Sequence, residues 1–308
     1  MNIYEIRKGN YKALINVSKG ANCISLRNSK YNSVILREPD YSQELDNSFL
    51  YGMPILFPVN RISRARFWFE GREYLFPVNE PETGCSLHGS LLQQEFQIVT
   101  GGEDYVICSY KATKEKPYMM FPHEFEVIIS YYLTDKGLEQ KTEIKNLSEK
   151  NMPIMIGFHT TFMIPFAEGQ ESQDIRVGAE VKDWVERNEK NHLPTGTIGQ
   201  IDSITEQLLQ GEFVPCAKKI SRHYKCENTG KMHIDDAKKR IRILYENSAN
   251  FKYRMIFNGD ADKFICLEPQ NCVVDCMNTK FDREYSGFEY VEPFQTKTYF
   301  SKISIMEY

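Results

Sequence analysis

No stretch of this 308-residue chain approaches the roughly 20 consecutive apolar residues that cross a bilayer. Charge of one sign is also lacking. Lys and Arg number 38 against 42 Asp and Glu, a net charge of −4, which gives no electrostatic case for nucleic acid as the main partner. The opening residues, MNIYEIRKGNYK, are charged and alternating and hold no apolar core of a signal peptide. Among the 8 cysteines there is no CxxC pair. The CxxH at Cys85 and His88 finds no matching second half elsewhere, so zinc-site spacing is missing. No internal repeat, low-complexity segment or Pro/Gly/Ser linker divides the sequence. These absences predict a soluble, cytoplasmic protein with one domain over residues 1–308, no membrane partner, and cysteines used as small buried hydrophobes.

What is present is a globular composition, 41% hydrophobic and 26% charged, with 13% aromatic residues, a bias toward strands. Phe125, Val127, Ile129, Tyr131 and Leu133 alternate with polar residues. Asp135-Lys136-Gly137 turns the chain, and Leu138, Gln140, Thr142 and Ile144 alternate in their turn. Period two on both sides of a Gly-containing turn predicts a β-hairpin with one wet face. Shorter runs of the same kind occur at 11–17, 105–111, 240–245 and 299–305. Turn signals at short intervals make this an all-β, large antiparallel β-sandwich rather than alternating βα units. Ser203-Ile204-Thr205-Glu206 has the form of a capping box, with Gly211 to end a short helix. The stretch from about 166 to 215 reads as an irregular insertion.

Polar groups interrupt apolar sequence at a few places. In YGMPILFPVNRI, Asn60 and Arg61 follow Pro54 and Pro58, which bar a central strand and predict a rigid loop presenting an amide and a forked cation. His88 sits between Leu87 and Gly89, where glycine permits a close approach or an unusual turn. His159 stands alone in MPIMIGFHTTFMIP, a setting that favours the neutral imidazole and also suits a core histidine. Glu268 follows the apolar run 264–267 and precedes Pro269, placing a carboxylate at the end of a buried strand, where it must be paired, hydrogen-bonded or used.

Taken in order, these segments resemble the aldose 1-epimerase (galactose mutarotase) family. Gly52, Pro54 and Asn60-Arg61 are followed by Asn79 and by Leu87-His88-Gly89; after the hairpin come Asn146 and Gly157-Phe158-His159 with Phe162. Leu193-Pro194-Thr195-Gly196 follows, then Glu268-Pro269-Gln270, Asp275 and Asn278. The resemblance implies a galactose mutarotase-like supersandwich with a sugar-binding cleft, and interconversion of the α and β anomers of a free aldose without cofactor or metal. It implies Glu268 as general base and His159 as general acid, with Asn60, Arg61 and His88 holding the sugar. The partner is then a small-molecule sugar, and the chain a monomer or homodimer.

Three departures bear on the substrate. The family usually has an Asp-His pair late in the chain, and the local counterpart is Arg222-His223, which predicts both as substrate-binding residues. The second Gly of His-Gly-Gly is Ser90, and Pro-Asp-Ala reads Val274-Asp275-Cys276. A cation in place of a carboxylate reverses one hydroxyl contact and invites an anionic sugar. Two further readings therefore stand beside the first. One is an epimerase of a phosphorylated hexose, with Arg222 and Arg64 or Arg66 meeting the phosphate. The other is a non-catalytic sugar-binding protein of the same fold.

Overall fold

A computed structural model describes residues 2–40, 48–226, 230–259 and 263–308. The alternating segments pair into an antiparallel sheet of eight strands. Its centre is the hairpin Phe125–Thr134 and Gly137–Asn146, in which Asp135 and Lys136 alone separate the paired Thr134 and Gly137. The chain's last strand, Thr296–Glu307, lies beside Gly137–Asn146 and is followed outward by Ile241–Asn247, Met232–Asp236 and Ile175–Ala179. Tyr105–Ala112 and Gln97–Gly101 complete the other side. A four-stranded sheet is built from Ile3–Lys8, Tyr11–Asn16, Asn22–Asn28 and Ser33–Val34.

A second eight-stranded sheet carries the polar segments. It runs Pro194–Gly199, Trp184–Arg187, Ser221–Lys225, Tyr253–Phe257, Phe264–Gln270, Gly157–Phe158 and Ile55–Leu56, and Thr161–Met163 also pairs with Phe264–Gln270. The two large sheets meet through their apolar rows. Phe162 packs on Tyr245 with ring centroids 5.5 Å apart, and the Thr160 hydroxyl bonds the Tyr245 hydroxyl at 2.9 Å. Every residue of Phe264–Gln270 is buried. One face lies on the large sheet and the other under the loops that wall a cleft, so alternation disappears where both faces are covered.

Two sequence expectations change here. The stretch expected to be irregular contributes the strands Ile175–Ala179, Trp184–Arg187 and Pro194–Gly199. They are short, and Ile175–Ala179 and Trp184–Arg187 pair with segments about forty or more residues away, so local periodicity carries little trace of them. The helix forms over Ser203–Gln210 with Gly211 in the left-handed conformation at its end, but its N-cap is Asp202, one residue earlier than the capping box predicts. The Asp202 carboxylate accepts from the Thr205 backbone N–H at 3.1 Å, doing the work assigned to Ser203. All eight cysteines are free. Among the described residues, no helix is long and apolar enough to cross a membrane.

Candidate active site

The register of one strand pair brings His159 to Glu268. Gly157 lies opposite Gln270, and Thr161 lies opposite Cys266. Counting inward from either end places His159 opposite Glu268, and directly opposed residues of antiparallel strands share a face. The ladder is interrupted between the two short pieces. Leu267 donates its N–H to Thr160 O at 2.9 Å and Asn271 to Ile156 O at 3.0 Å, so Pro269, between them, faces the same side with no N–H to give. His159 turns its own N–H to Pro54 O at 3.0 Å. Gly157 permits the close approach, since a Cβ there would lie 2.8 Å from Pro269 O. The outcome is a contact of 3.2 Å between His159 Nε2 and Glu268 Oε1, with both side chains buried.

Neighbouring loops fix this pair. Gln270 donates from Nε2 to Glu268 Oε2 at 3.1 Å and accepts from Asn60 Nδ2 at 3.4 Å. That chain leaves Oε1 as the oxygen turned to His159. Arg61 forks onto Glu80, with Nε to Oε2 at 2.6 Å and Nη2 to Oε1 at 2.5 Å. The His88 N–H bonds Asn60 O at 2.9 Å, and Asn79 brackets Leu87 through its N–H at 2.6 Å and its carbonyl at 2.8 Å. Asp275 donates its N–H to Arg61 O at 3.1 Å and accepts the Ser63 N–H at 3.1 Å. Asn60 and His88 both have positive φ, 59° and 61°. Left-handed non-glycine residues of this kind gather at functional sites, where the surroundings hold them. Gly89, at φ +61°, lets its loop touch Phe57, because a Cβ would stand 1.9 Å from Phe57 O.

Asn60, Arg61, Glu80, His88, His159 and Glu268 line one cleft of about 620 Å³, in the range that holds small molecules. Phe49 packs against both the His88 and His159 rings at 5.1 Å. Burial dominates the electrostatics by penalising charged forms. It raises Glu268 from 4.5 to about 8, with Gln270, Arg187 and Arg61 acting in the opposite direction. It lowers His159 from 6.5 to about 3 and, helped by the neighbouring His159 and Arg61, holds His88 well below its usual range. At neutral pH the pair therefore shares one proton, which rests on the carboxyl.

The structure brings together five of the seven side chains that the sequence singles out, and leaves two aside. Arg222 lies in the row of Ile256 and Leu267, the face turned away from Glu268. Its guanidinium forks onto Asp202 at 2.7 and 2.6 Å and covers the Trp184 ring at 4.6 Å. His223 lies on the cleft side, in the row of Met255 and Glu268, but is fully buried. Its Nδ1 accepts the Val274 N–H at 3.4 Å and its ring packs on Tyr253, so it does not reach the cleft. Arg64 and Arg66 are exposed and do not line the cleft. The residues that sequence reasoning misses are Gln270, Glu80 and Arg187. Gln270 stood in the Glu-Pro-Gln motif, whereas Glu80 and Arg187 had no local signal.

Among the described residues, donor atoms of His159, Cys266 and Glu268 lie within 4.8 Å of one another. Burial keeps the Cys266 thiol well above its usual range.

Residues 2–286 match the family model of aldose 1-epimerase. The LacX protein of Lactococcus lactis subsp. lactis is 31% identical over 141 residues, which are 44% of this chain and 44% of that protein. The chain thus matches less than half the length of that curated relative. A galactose mutarotase-like protein from Clostridium acetobutylicum superposes with a TM-score of 0.93 at 29% identity, covering 100% of this chain and 99% of that one. Galactose 1-epimerase from Lactobacillus acidophilus NCFM shares the fold at 12% identity, with a TM-score of 0.72 over 100% and 95% of the two chains.

Proposed function

Because the chain belongs to the aldose 1-epimerase family, we propose that it interconverts the α and β anomers of a free aldose, with Glu268 as base and His159 as acid. The observation that carries this reading is the buried 3.2 Å contact between a carboxyl and an imidazole at the wall of a polar cleft.

The chemistry needs one proton removed from the C1 hydroxyl and one supplied to the ring oxygen. With the ring form bound, Glu268 as carboxylate takes the first and His159 as imidazolium gives the second. The C1–O5 bond breaks, C1 becomes an aldehyde, and the pair is left as carboxylic acid and neutral imidazole. Rotation about C1–C2 and closure on the other face reverse both transfers. Burial favours this neutral pair, the state that meets the open-chain sugar. The ionic state that meets the ring differs only by a proton moved from Glu268 to His159, so the total is constant. Arg61 and Arg187 assist it by favouring the Glu268 carboxylate. Asn60, Arg61 and neutral His88 orient the sugar hydroxyls, which raises the fraction of bound geometries able to react.

The test is the optical rotation of freshly dissolved α-glucose and α-galactose. The protein accelerates the relaxation, and a rate equal to buffer alone refutes the reading.

A further inference from the structure

Arg187 is a cation in the wall of the cleft, and among the described residues no carboxylate forms an ion pair with it. Its Nη2 donates to Ser221 O at 2.6 Å and Ser221 Oγ at 2.9 Å, and among the described residues Nε and Nη1 have no partner. Arg61, by contrast, is paired with Glu80, Arg222 with Asp202 and Arg242 with Asp235. Burial and the neighbouring Arg61 pull the Arg187 guanidinium down to about 10, while Glu268 acts the other way. Of the other charged residues that line the cleft, the exposed Glu82 makes no ion pair among the described residues. Arg61 and Glu80 cancel, and Glu268 holds its proton to about pH 8. An arginine fork with two free nitrogens at such a wall is a receptor for an oxyanion.

Its place in the sheet sets how far it stands from Glu268. The Trp184–Arg187 strand is three strand spacings from Phe264–Gln270, and the guanidinium already reaches over the intervening Ser221. Two spacings, about 10 Å, then separate it from the Glu268 strand. A sugar bound with C1 at Glu268 has His159 on one side and Arg187 on the other.

We propose that Arg187 selects aldoses that carry an oxyanion, either a carboxylate or a phosphate. This rests on the anomer-exchange reading for turnover, but recognition can be measured without it.

Anomer exchange is followed by NMR for glucose, galactose, their uronic acids and glucose 6-phosphate. We expect kcat/KM for one anionic sugar to exceed that of its neutral parent about 10- to 100-fold, the scale of charge-assisted hydrogen bonds. The advantage shrinks between about 50 and 500 mM salt. Whether the uronate or the phosphate shows the larger ratio identifies the anion. Arg187→Gln brings the ratio near one, and Arg222→Gln keeps it. Arg187→Met replaces the first variant should it fail to fold. Ratios at or below one for both anions in the unaltered protein, or ratios untouched by loss of Arg187, overturn the proposal. Should no sugar exchange faster than in buffer, the turnover reading fails by itself, and the proposal is judged on melting temperature. Glucuronate or glucose 6-phosphate must then stabilise the unaltered protein and not Arg187→Gln, and equal shifts refute it.

Discussion

Replacing Glu268 by glutamine is expected to cut turnover by orders of magnitude and stabilise the protein, with a gain that depends on pH. Glutamine keeps the shape, can donate toward His159 Nε2 as the carboxylic acid does, and still accepts from Gln270. The carboxyl is raised from 4.5 to about 8 by burial. Between those values the folded state holds a proton that the unfolded state has released, so native stability falls as pH rises through that window and levels off above it. At 1.36 kcal/mol per unit, the penalty grows by about 3 kcal/mol from pH 5 to pH 8. Glutamine carries no such penalty, and the contribution of His159 is common to both proteins. For a chain of this length about 1–2 °C of melting temperature corresponds to each kcal/mol, so the variant's advantage should widen by roughly 3–6 °C. Thermal melts of both proteins at pH 5, 6.5 and 8 read this directly, and activity at the same pH values should fall about 10²–10⁴-fold. A melting difference that stays constant across the three pH values refutes the account of a buried, proton-holding carboxyl. Undiminished activity refutes its role as base.

Three more outcomes follow from the same geometry. The kcat/KM of the unaltered protein should decline as pH rises through about 8, where the pair loses its single proton; a profile that climbs between pH 7 and 9 contradicts the shared-proton scheme. His159→Asn should cost activity on the scale of Glu268→Gln, and the double variant should be little worse than either, because the two act as one unit; multiplicative losses in single-turnover rates would show independent roles. Gly89→Ala forces a Cβ to 1.9 Å from Phe57 O at a positive φ, so its unfolding free energy from urea titration should drop by more than about 2 kcal/mol, and an unchanged value would mean that the loop is free to shift.

The hairpin over 125–146 is legible in the sequence because one face is wet and the other packed, which writes period two into the residues. The strand at 264–270 is legible only in part. Pro269 marks a stop by the usual rules, yet the strand runs through it to Gln270, since the missing N–H falls at the break beside His159. Motif order brings out Asn60, Arg61, His88, His159 and Glu268, but it cannot say which side of a strand a residue occupies. Arg222 follows from the order and fails on the register, since its row faces away from the cleft. Arg187 is the converse, a cleft residue hidden in a segment without local periodicity. Its position is set by pairing between Trp184–Arg187 and Ser221–Lys225, a contact across more than thirty residues of chain.

The alignment of Gly157–Met163 on Phe264–Gln270 has an evolutionary corollary. Because His159 and Glu268 stand opposite each other on neighbouring segments of one sheet, their separation cannot be tuned gradually by lengthening the backbone. Adding or deleting one amino acid between Gly157 and Thr161 would send the imidazole through to the opposite side, among the aromatic rings that bind the two layers. Change of length is tolerable only in the loops at the mouth, so diversification of ligand preference must come from there and from single side-chain exchanges along the outer strands.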